Sequence, residues 1–240
     1  MWQPKTAPAT AARGDPWRPT VPRPSNPLLS ADRIRRAGLE IIDARGLEGL
    51  SMRGLADELG VKAASLYNHV PAKEQLLQEI ADDVTASVDV SGFEVDWPTG
   101  IRTWARSYRA ALTAHPNLVP YIASGPARRE AALRRADAVH GGLTRAGWPQ
   151  RYATMIGAST KYLVVGSAMG SFSGGFVDDA EVYDERFPHL DRAHLLREHA
   201  AEIDNDSFEL ALAALIDGLH RLYHDLVDGD GPQVRARPEG

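Results

Sequence analysis

The segment from residue 50 to residue 73 reads LSMRGLADELGVKAASLYNHVPAK, and its spacing decides the fold. Ser51 is a suitable N-cap for a short first helix. The apolar residues of that helix share one face: Met52, Leu55, Ala56 and Leu59. Gly60 is suited to the left-handed conformation that lets the chain turn back on itself. The pattern therefore predicts a short helix followed by a tight glycine turn.

A second short helix is predicted directly after this turn, and its two faces differ. The inward face is apolar and consists of Ala63, Leu66 and Val70. The outward face is mostly polar, with an aromatic residue at its edge: Ala64, Ser65, Tyr67, Asn68 and His69. A helix this short is not stable alone in water, so the surface on which it packs fixes its position. Two such helices form a helix-turn-helix, whose second helix enters the major groove of double-stranded DNA.

The composition is that of an ordinary globular protein and excludes several kinds of site. The 240 residues are 43% hydrophobic and 25% charged, enough for one large or two small domains. Because cysteine is absent, disulfides, thiol nucleophiles and cysteine-based zinc sites are excluded. The sequence contains no apolar run long enough for a membrane span, and the N-terminus lacks the apolar core of a signal peptide. We therefore expect a cytoplasmic protein with no membrane partner.

The net charge of −5 at first argues against nucleic acid, but the charges are unevenly placed. Residues 178–230 contain fifteen acidic residues and four arginines, whereas residues 1–27 carry four cations and one acid. Phosphates are neutralised by the local patch that meets them, so a DNA-facing end on an acidic body is compatible with this distribution.

The two ends of the chain differ from its centre. Residues 1–27 are rich in proline and are predicted to be a disordered arm. Residues 228–240 are predicted to be a flexible tail. Order is expected to begin at Ser30, a good N-cap, and residues 28–90 are predicted to form the helix-turn-helix domain. No strand-like alternation of useful length occurs in the sequence.

Helical periodicity continues beyond the helix-turn-helix. A fourth helix is predicted from about Lys73 to Val84 or Val88, and a break near residues 91–98 marks a boundary. Residues 91–227 are predicted to form a second domain. Its helices are expected at about 99–114, 117–122, 127–146, 150–172, 191–203 and 208–227. The protein is thus predicted to be all-α, with roughly ten helices.

Several short motifs occur together at a characteristic spacing. They are Gly-Leu-Glu-Gly-Leu-Ser-Met-Arg at 46–53, Leu-Gly-Val at 59–61, Leu-Tyr at 66–67, His-Val at 69–70, and Lys73 with Leu76-Leu77. On these residues the chain resembles the tetracycline-repressor family of bacterial transcriptional regulators, without a gap from Leu29 to about Val84. A more diffuse similarity to the family's C-terminal domain covers residues 97–176.

The resemblance implies a homodimer with one DNA-reading head per subunit. It also implies a pocket in the C-terminal core for a small-molecule effector of unknown identity. In function it implies a repressor that binds a palindromic operator and is released by its effector.

Carried over residue by residue, the resemblance implies DNA contacts on both helices of the motif. The matching positions are Ser51, Arg53, Ala63, Ala64, Ser65, Tyr67, His69 and Lys73, to which we add the outward-facing Asn68. Arg53 can form a bidentate pair with guanine. Ser65, Tyr67 and His69 offer donors to phosphate, and Lys73 places a charge at a helix start that favours anions. The alanines can touch only a thymine methyl, so base readout by the second helix is expected to be limited.

Two departures from the family pattern affect these expectations. Ala72 stands where an Asn-like cap of the fourth helix is usual, and losing such a cap costs about 0.5–2 kcal/mol. Tyr121 and Asp89 stand where tetracycline-binding members carry histidines that contact the drug and its magnesium ion. Because a tyrosine does not replace an imidazole as that ligand, tetracycline is not expected to be the effector.

Aromatic and polar residues of the second domain are candidates to line the effector pocket: Trp104, Tyr108, Tyr121, His140, Met155 and Tyr162. Gly166, Gly170 and Gly174 are spaced by four, which favours close packing in a dimer core or added pocket space. His220 and His224 have metal-ligand spacing, but no third ligand is apparent nearby. We therefore predict no metal site and no cofactor.

Two other functions are weighed against a ligand-responsive regulator. An architectural DNA binder would need a broadly basic surface, whereas this body is acidic. An all-α enzyme would need a nucleophile elbow, a carboxylate pair or a metal cluster at informative spacing, and the sequence contains none. The regulator is the favoured interpretation.

Overall fold

The computed structural model describes residues 29–125 and 130–227, which form nine α-helices and no strand. The helices are α1 (Ala31–Arg45), α2 (Met52–Glu58), α3 (Ala63–Tyr67), α4 (Lys73–Val84), α5 (Trp97–Thr113), α6 (Val119–Ser124), α7 (Glu130–Arg145), α8 (Gln150–Ala168) and α9 (Ala200–Val227). The predicted all-α class is confirmed. The predicted arm (1–27) and tail (228–240) lie outside the described residues. None of the described helices is long and apolar enough to cross a membrane.

Helices α1 to α4 form the head of the molecule and enclose a core of their own. The hydroxyl of Ser30 accepts a hydrogen bond from the backbone N–H of Arg33 at 3.2 Å and so caps α1 as predicted. The largest fully buried side chains of these helices and their connections are Ile34, Ile42, Leu50, Leu55, Leu66, Leu76 and Ile80. Leu118, just before α6, is also fully buried in this core. The head core is thus completed by a side chain from beyond α5.

Helices α5, α7, α8 and α9 surround a second core, in which Phe93 has a central place. Phe93 lies in a 3-10 turn and packs against Gly100 of α5 and Gly142 of α7. A Cβ atom at these glycines would lie 2.3 Å and 2.6 Å from the nearest Phe93 atom. Because any side chain there would overlap Phe93, both glycines are required for this close approach. The contact fixes the connection between α4 and α5 on the second core.

Helix α4 links the two cores. Its last residue, Val84, is buried in the head core, whereas Val88 is buried in the second core. A 3-10 turn from Thr85 to Ser87 lies between them. The hydroxyl of the buried Thr85 donates to the carbonyl of Ala81 at 2.7 Å and closes the last turn of α4. A shift of this short segment is therefore transmitted to both cores.

The prediction of two separate helices at 191–203 and 208–227 is wrong. The structure has one 28-residue helix, α9, which begins at Ala200. The polar residues near 204 do not interrupt it because contacts from other elements satisfy them. The Asp204 carboxylate accepts a hydrogen bond from the backbone N–H of Phe172 at 3.0 Å. The backbone carbonyl of Asp204 accepts another hydrogen bond, from Nη2 of Arg109 at 3.0 Å.

The end of α8 is a second correction. The helix ends at Ala168 and not near residue 172, and a short 3-10 turn follows from Phe172 to Gly175. Gly170 and Gly174 therefore lie beyond the helix, and no glycine stripe runs along it.

Candidate DNA-binding surface and ligand cavity

The helix-turn-helix forms as its local sequence predicts. The Ser51 hydroxyl accepts a hydrogen bond from the backbone N–H of Gly54 at 3.1 Å and caps α2. Gly60 has φ 67°, the left-handed conformation expected of it. The backbone N–H of Val61 then returns to the carbonyl of Ala56 at 2.9 Å. The turn is thus closed by backbone hydrogen bonds and leaves the start of α3 accessible.

The five residues of α3 separate cleanly into a packed and an open face. Leu66 and the following Val70 are fully buried in the head core, and Ala63 is partly buried against it. The exposed residues of this segment are Ala64, Tyr67, Asn68 and His69, and Ser65 is half-buried. Tyr67 keeps 50% of its surface exposed although it is aromatic. An open face of this kind is free to approach a major groove.

The cations near this face have different surroundings. Arg53 is exposed on α2. Lys73 is half-buried at the start of α4, and its Nζ donates to the carbonyl of Leu47 at 3.4 Å. Ala72 occupies the N-cap position of α4 and makes no side-chain hydrogen bond there, because alanine has no polar side chain. Lys62, which the sequence analysis missed, is exposed at the N-cap position of α3. Its place directly before α3 was the available signal.

A cavity of about 330 Å³ lies between α5, α7 and α8 in the second core. Three of the predicted pocket residues line it, namely Trp104, Tyr108 and His140. The rings of Trp104 and Tyr108 are stacked, with centroids 6.4 Å apart and planes 25° apart. Val88, three residues beyond Thr85, forms part of the wall. The cavity therefore borders the segment that follows α4.

The polar groups that line the cavity can form hydrogen bonds with a ligand. Burial raises the pKa of the Tyr108 hydroxyl, and the nearby Arg135 charge opposes this shift. Tyr108 is therefore neutral near pH 7 and can donate its proton in a hydrogen bond. The Nδ1 atom of His140 donates to the carbonyl of Ala136 at 2.9 Å, which leaves Nε2 for a ligand. Arg135 and Lys161 add two cationic side chains to the wall.

The other three predicted pocket residues lie elsewhere, which corrects the prediction for the cavity. The Tyr121 hydroxyl donates to the Glu74 carboxylate at 2.9 Å, and its ring packs against the head core. Met155 is 47% exposed and Tyr162 74% exposed, both on the outer face of α8. Periodicity alone did not reveal which face of α8 turns inward, because the whole helix is only weakly polar.

Sequence reasoning also missed most of the cavity wall. Small residues line the cavity, Ala132 and Ala136 on α7 and Gly157 and Ala158 on α8, and their size leaves the open space. Val88, Val139, Thr154 and the two cations complete the set that was missed. The alanine pair at i and i+4 on α7 was the available signal, but alanines at this spacing are common in helices.

The histidine pair of α9 has an aromatic neighbour. The His220 ring lies 4.7 Å from that of Trp97, and the His224 ring lies 6.3 Å from that of Tyr223. Among the described residues, no group of three His, Cys, Asp or Glu side chains could hold a metal ion.

Comparison with known proteins agrees with this geometry. Residues 34–80 match the family described as "Bacterial regulatory proteins, tetR family", and residues 93–223 match "Tetracyclin repressor-like, C-terminal domain". An "HTH-type transcriptional regulator" of Saccharopolyspora erythraea is 32% identical over 190 residues, which cover 78% of this chain and 80% of that protein. The "Tetracycline repressor protein class A from transposon 1721" of Escherichia coli is 28% identical over 215 residues, covering 85% and 97%.

A solved structure extends the similarity to three dimensions. The Streptomyces coelicolor TetR family protein ActR, in complex with (S)-DNPA, superposes with a TM-score of 0.64 at 28% identity. The match covers 82% of this chain and 99% of that one. Taken with the helix-turn-helix, the cavity of the second core and the two family matches, the chain belongs to the tetracycline-repressor family of ligand-responsive, DNA-binding transcriptional regulators.

Proposed function

We propose that the chain binds double-stranded operator DNA as a homodimer in the cytoplasm and represses transcription until a small-molecule effector occupies the cavity. The observation that carries this proposal is the position of α4. The helix starts at Lys73, a few residues after α3, which is the proposed recognition helix, and the turn that follows it leads to Val88 in the cavity wall. One short element thus reaches both sites. We further propose residues 28–90 as the DNA-binding domain and residues 91–227 as the ligand-binding and dimerisation domain.

The DNA contacts proposed for this chain are those on the open face of the head. Arg53 is the proposed base reader, because a guanidinium can pair with guanine through two hydrogen bonds. The other proposed contacts are with the DNA backbone and position the head on the duplex: Ser51, Ser65, Tyr67, Asn68, His69 and Lys73. Ala63 and Ala64 are placed to touch a thymine methyl. To these we add Lys62, whose exposed charge next to α3 suits a phosphate.

The proposed dimer uses the outer faces of α8 and α9. Met155, Tyr162 and Met169 are exposed and recur every seven residues, so they lie on one side. Leu210 on α9 is 73% exposed. Apolar side chains of this size seldom remain open to water in a contiguous patch unless a partner covers them. Leu212 and Leu219, by contrast, are buried in the chain's own core.

The proposed mechanism is a change in the tilt of α4. An effector that prefers one position of Val88 favours one orientation of α4, and two such helices set the distance between the recognition helices. Coupling of this kind is typically about 1–3 kcal/mol, and it is reciprocal between effector and operator. ActR was crystallised with a bound small molecule, which supports an effector in this class of protein. Tetracycline is not proposed, because Tyr121 is turned away from the cavity toward Glu74.

Selection of binding sequences from random duplex DNA tests this function. We expect the purified protein to enrich an inverted repeat whose half-site centres lie about 34–36 Å apart or a multiple of it. Enrichment of sequences without two-fold symmetry, or of none at all, would contradict the proposed dimeric operator complex.

A further inference from the structure

The wall of the cavity carries two cations and, among its described residues, no acid. Arg135 comes from α7 and Lys161 from α8, and the other polar side chains are Tyr108, His140 and Thr154. Within the described part of the chain, neither cation forms an ion pair with a carboxylate. Both cations are half-buried, and a partly desolvated cation favours a counter-charge or hydrogen-bond acceptors that replace the lost water. The cavity is therefore electrostatically complementary to an anion.

The shape of the cavity favours a flat ring system. The stacked Trp104 and Tyr108 rings form one wall. Small residues on α7 and α8, such as Ala136 and Gly157, also line the cavity and leave room for a ligand. A volume of about 330 Å³ lies at the lower end of the range of small-molecule sites, which is about 300–1,000 Å³. A compact aromatic ligand therefore fits better than an extended one.

Arg135 also contacts the segment that follows α4. Its Nη2 donates to the Thr85 hydroxyl at 2.7 Å, and that hydroxyl donates in turn to the carbonyl of Ala81. The guanidinium charge thus lies near the C-terminal end of α4, where the helix dipole favours a cation. One side chain lines the cavity and stabilises the last turn of the linking helix. A ligand that reorients the guanidinium therefore affects both the cavity and the end of α4.

We propose that the effector is a small aromatic carboxylate held by Arg135 and Lys161, and that its capture of Arg135 releases Thr85 at the end of α4. The first part concerns the cavity alone, while the second rests on the function proposed above. The carboxylate competes with Thr85 because a bidentate pair with arginine uses two parallel N–H groups and fixes the orientation of the guanidinium plane. The last turn of α4 then loses its cation and is free to change its tilt.

Direct binding without DNA tests the ligand class. Benzoate, salicylate and naphthoate are titrated into the protein alongside their carboxamides, which have the same shape without the charge. Quenching of tryptophan fluorescence, to which Trp104 contributes, reports occupancy, and calorimetry confirms it. We expect at least one acid to bind about tenfold or more tightly than its amide, because hydrogen bonds to charged groups are the stronger ones. Equal affinity of each acid and amide, or no binding by any acid at millimolar concentration, would overturn the assignment.

Substitutions of single cations test which side chains bind the carboxylate. Arg135→Met keeps most of the apolar stem and is expected to lower acid affinity about tenfold or more while leaving amide affinity within about twofold. Lys161→Gln is expected to act in the same direction and provides a second variant. The control is Arg134→Gln, since Arg134 is exposed on the same helix and pairs with Glu130. An Arg134 variant as weak as the Arg135 variant would contradict a specific role for Arg135.

Thr85 tests the connection to α4. Thr85→Val removes the hydroxyl, so the acid no longer competes with it and is expected to bind more tightly, by severalfold. In Thr85→Val, the ratio of the acid dissociation constants with and without operator is expected to approach one. Thr85→Ser keeps the hydroxyl and is expected to restore the ratio of the unsubstituted protein. If this ratio is the same in Thr85→Val as in the unsubstituted protein, the proposed link between Arg135 and α4 is wrong, while the anion site is unaffected. If the unsubstituted protein binds no operator, the proposed function is wrong. The preference for an acid over its amide would still test the anion site independently.

Discussion

At the scale of single residues, Arg53 and Lys73 are both cations of the head, but their environments differ. The Arg53 side chain is exposed on α2 and can reach into a groove without breaking a contact. Lys73 is half-buried, and its ammonium group contacts the carbonyl of Leu47. A phosphate contact by Lys73 therefore adds to an existing link between α4 and the turn after α1. The two residues are expected to serve DNA binding in different ways.

Replacing these two residues separates base reading from phosphate binding. Arg53→Ala is expected to cost about 1–3 kcal/mol on the selected operator and to relax preference at one base position per half-site. Lys73→Ala is expected to weaken all sequences similarly and to reduce the salt slope by about 1. Fluorescence anisotropy across a salt series measures both. Arg145→Ala, at the exposed end of α7, is the control. Equal losses on operator and random DNA for Arg53→Ala would contradict base reading.

At the scale of the element, α5 shows how a cap positions the cavity. The Asp96 carboxylate accepts a hydrogen bond from the backbone N–H of Thr99 at 2.7 Å. The helix that it starts carries Trp97 and Trp104, both buried in the second core. The hydroxyl and then the backbone N–H of Thr99 hold the pKa of Asp96 below its usual range. The start of α5 is thus stabilised by an ionised side chain.

This cap gives a pH-dependent stability with a defined sign. Because the folded-state pKa of Asp96 is lowered, its stabilisation is present above the unfolded pKa of about 3.9 and is lost as the pH falls through the folded value. Asp96→Ala is expected to lower the free energy of unfolding by about 0.5–2 kcal/mol at neutral pH. Its difference from the unsubstituted protein should shrink below about pH 4. Chemical denaturation at several pH values measures this.

Asp96→Asn is the matched control for this element. Asparagine caps a helix nearly as well as aspartate but does not titrate in this range. It is expected to keep most of the stability at neutral pH. A pH-independent deficit in Asp96→Ala would show that the lost packing of α5, and not the ionised cap, accounts for the change.

At the scale of the whole molecule, the exposed apolar face of α8 and α9 is the proposed dimer interface. Tyr162 and Met169 also border an open groove of about 640 Å³ at the end of α8. A second copy that packs there would cover both the groove and the side chains. The two heads would then be held at a fixed distance, which a palindromic operator requires.

A charge on this face is expected to separate the subunits. Tyr162→Glu should raise the dimer dissociation constant by about a hundredfold or more, because an unpaired buried charge costs about 3–5 kcal/mol. Sedimentation velocity at micromolar concentration measures it. Leu133→Glu on α7, where the leucine is 52% exposed, is the control and is expected to remain dimeric. If the unsubstituted protein sediments as a monomer, the proposed interface is wrong.

The sequence predicted what depends on local chemistry and missed what depends on distant contacts. The Ser51 cap, the Gly60 turn and the buried Leu66 follow from neighbours within a few residues, so their pattern was sufficient. The cavity required knowing which side of α8 turns inward, and this depends on α5 and α7. The continuity of α9 through Asp204 likewise depends on Arg109 and on the turn after α8. Long cationic side chains such as Arg135 resemble ordinary surface residues until the fold encloses them.

Leu118 has a consequence for engineering. It follows α5 in the chain but is fully buried in the core of α1 to α4, and Tyr121 packs beside it. The adjacent Asn117 amide also donates to the carbonyls of Ile42 and Asp43, at 3.1 Å and 2.9 Å. A head excised at the end of α4 would therefore contain a hole of leucine size and would lose both hydrogen bonds from Asn117. In chimaeric regulators built by exchanging heads, the segment 117–121 must be transplanted with its own head and matched to the incoming scaffold, so this head is not an independent module.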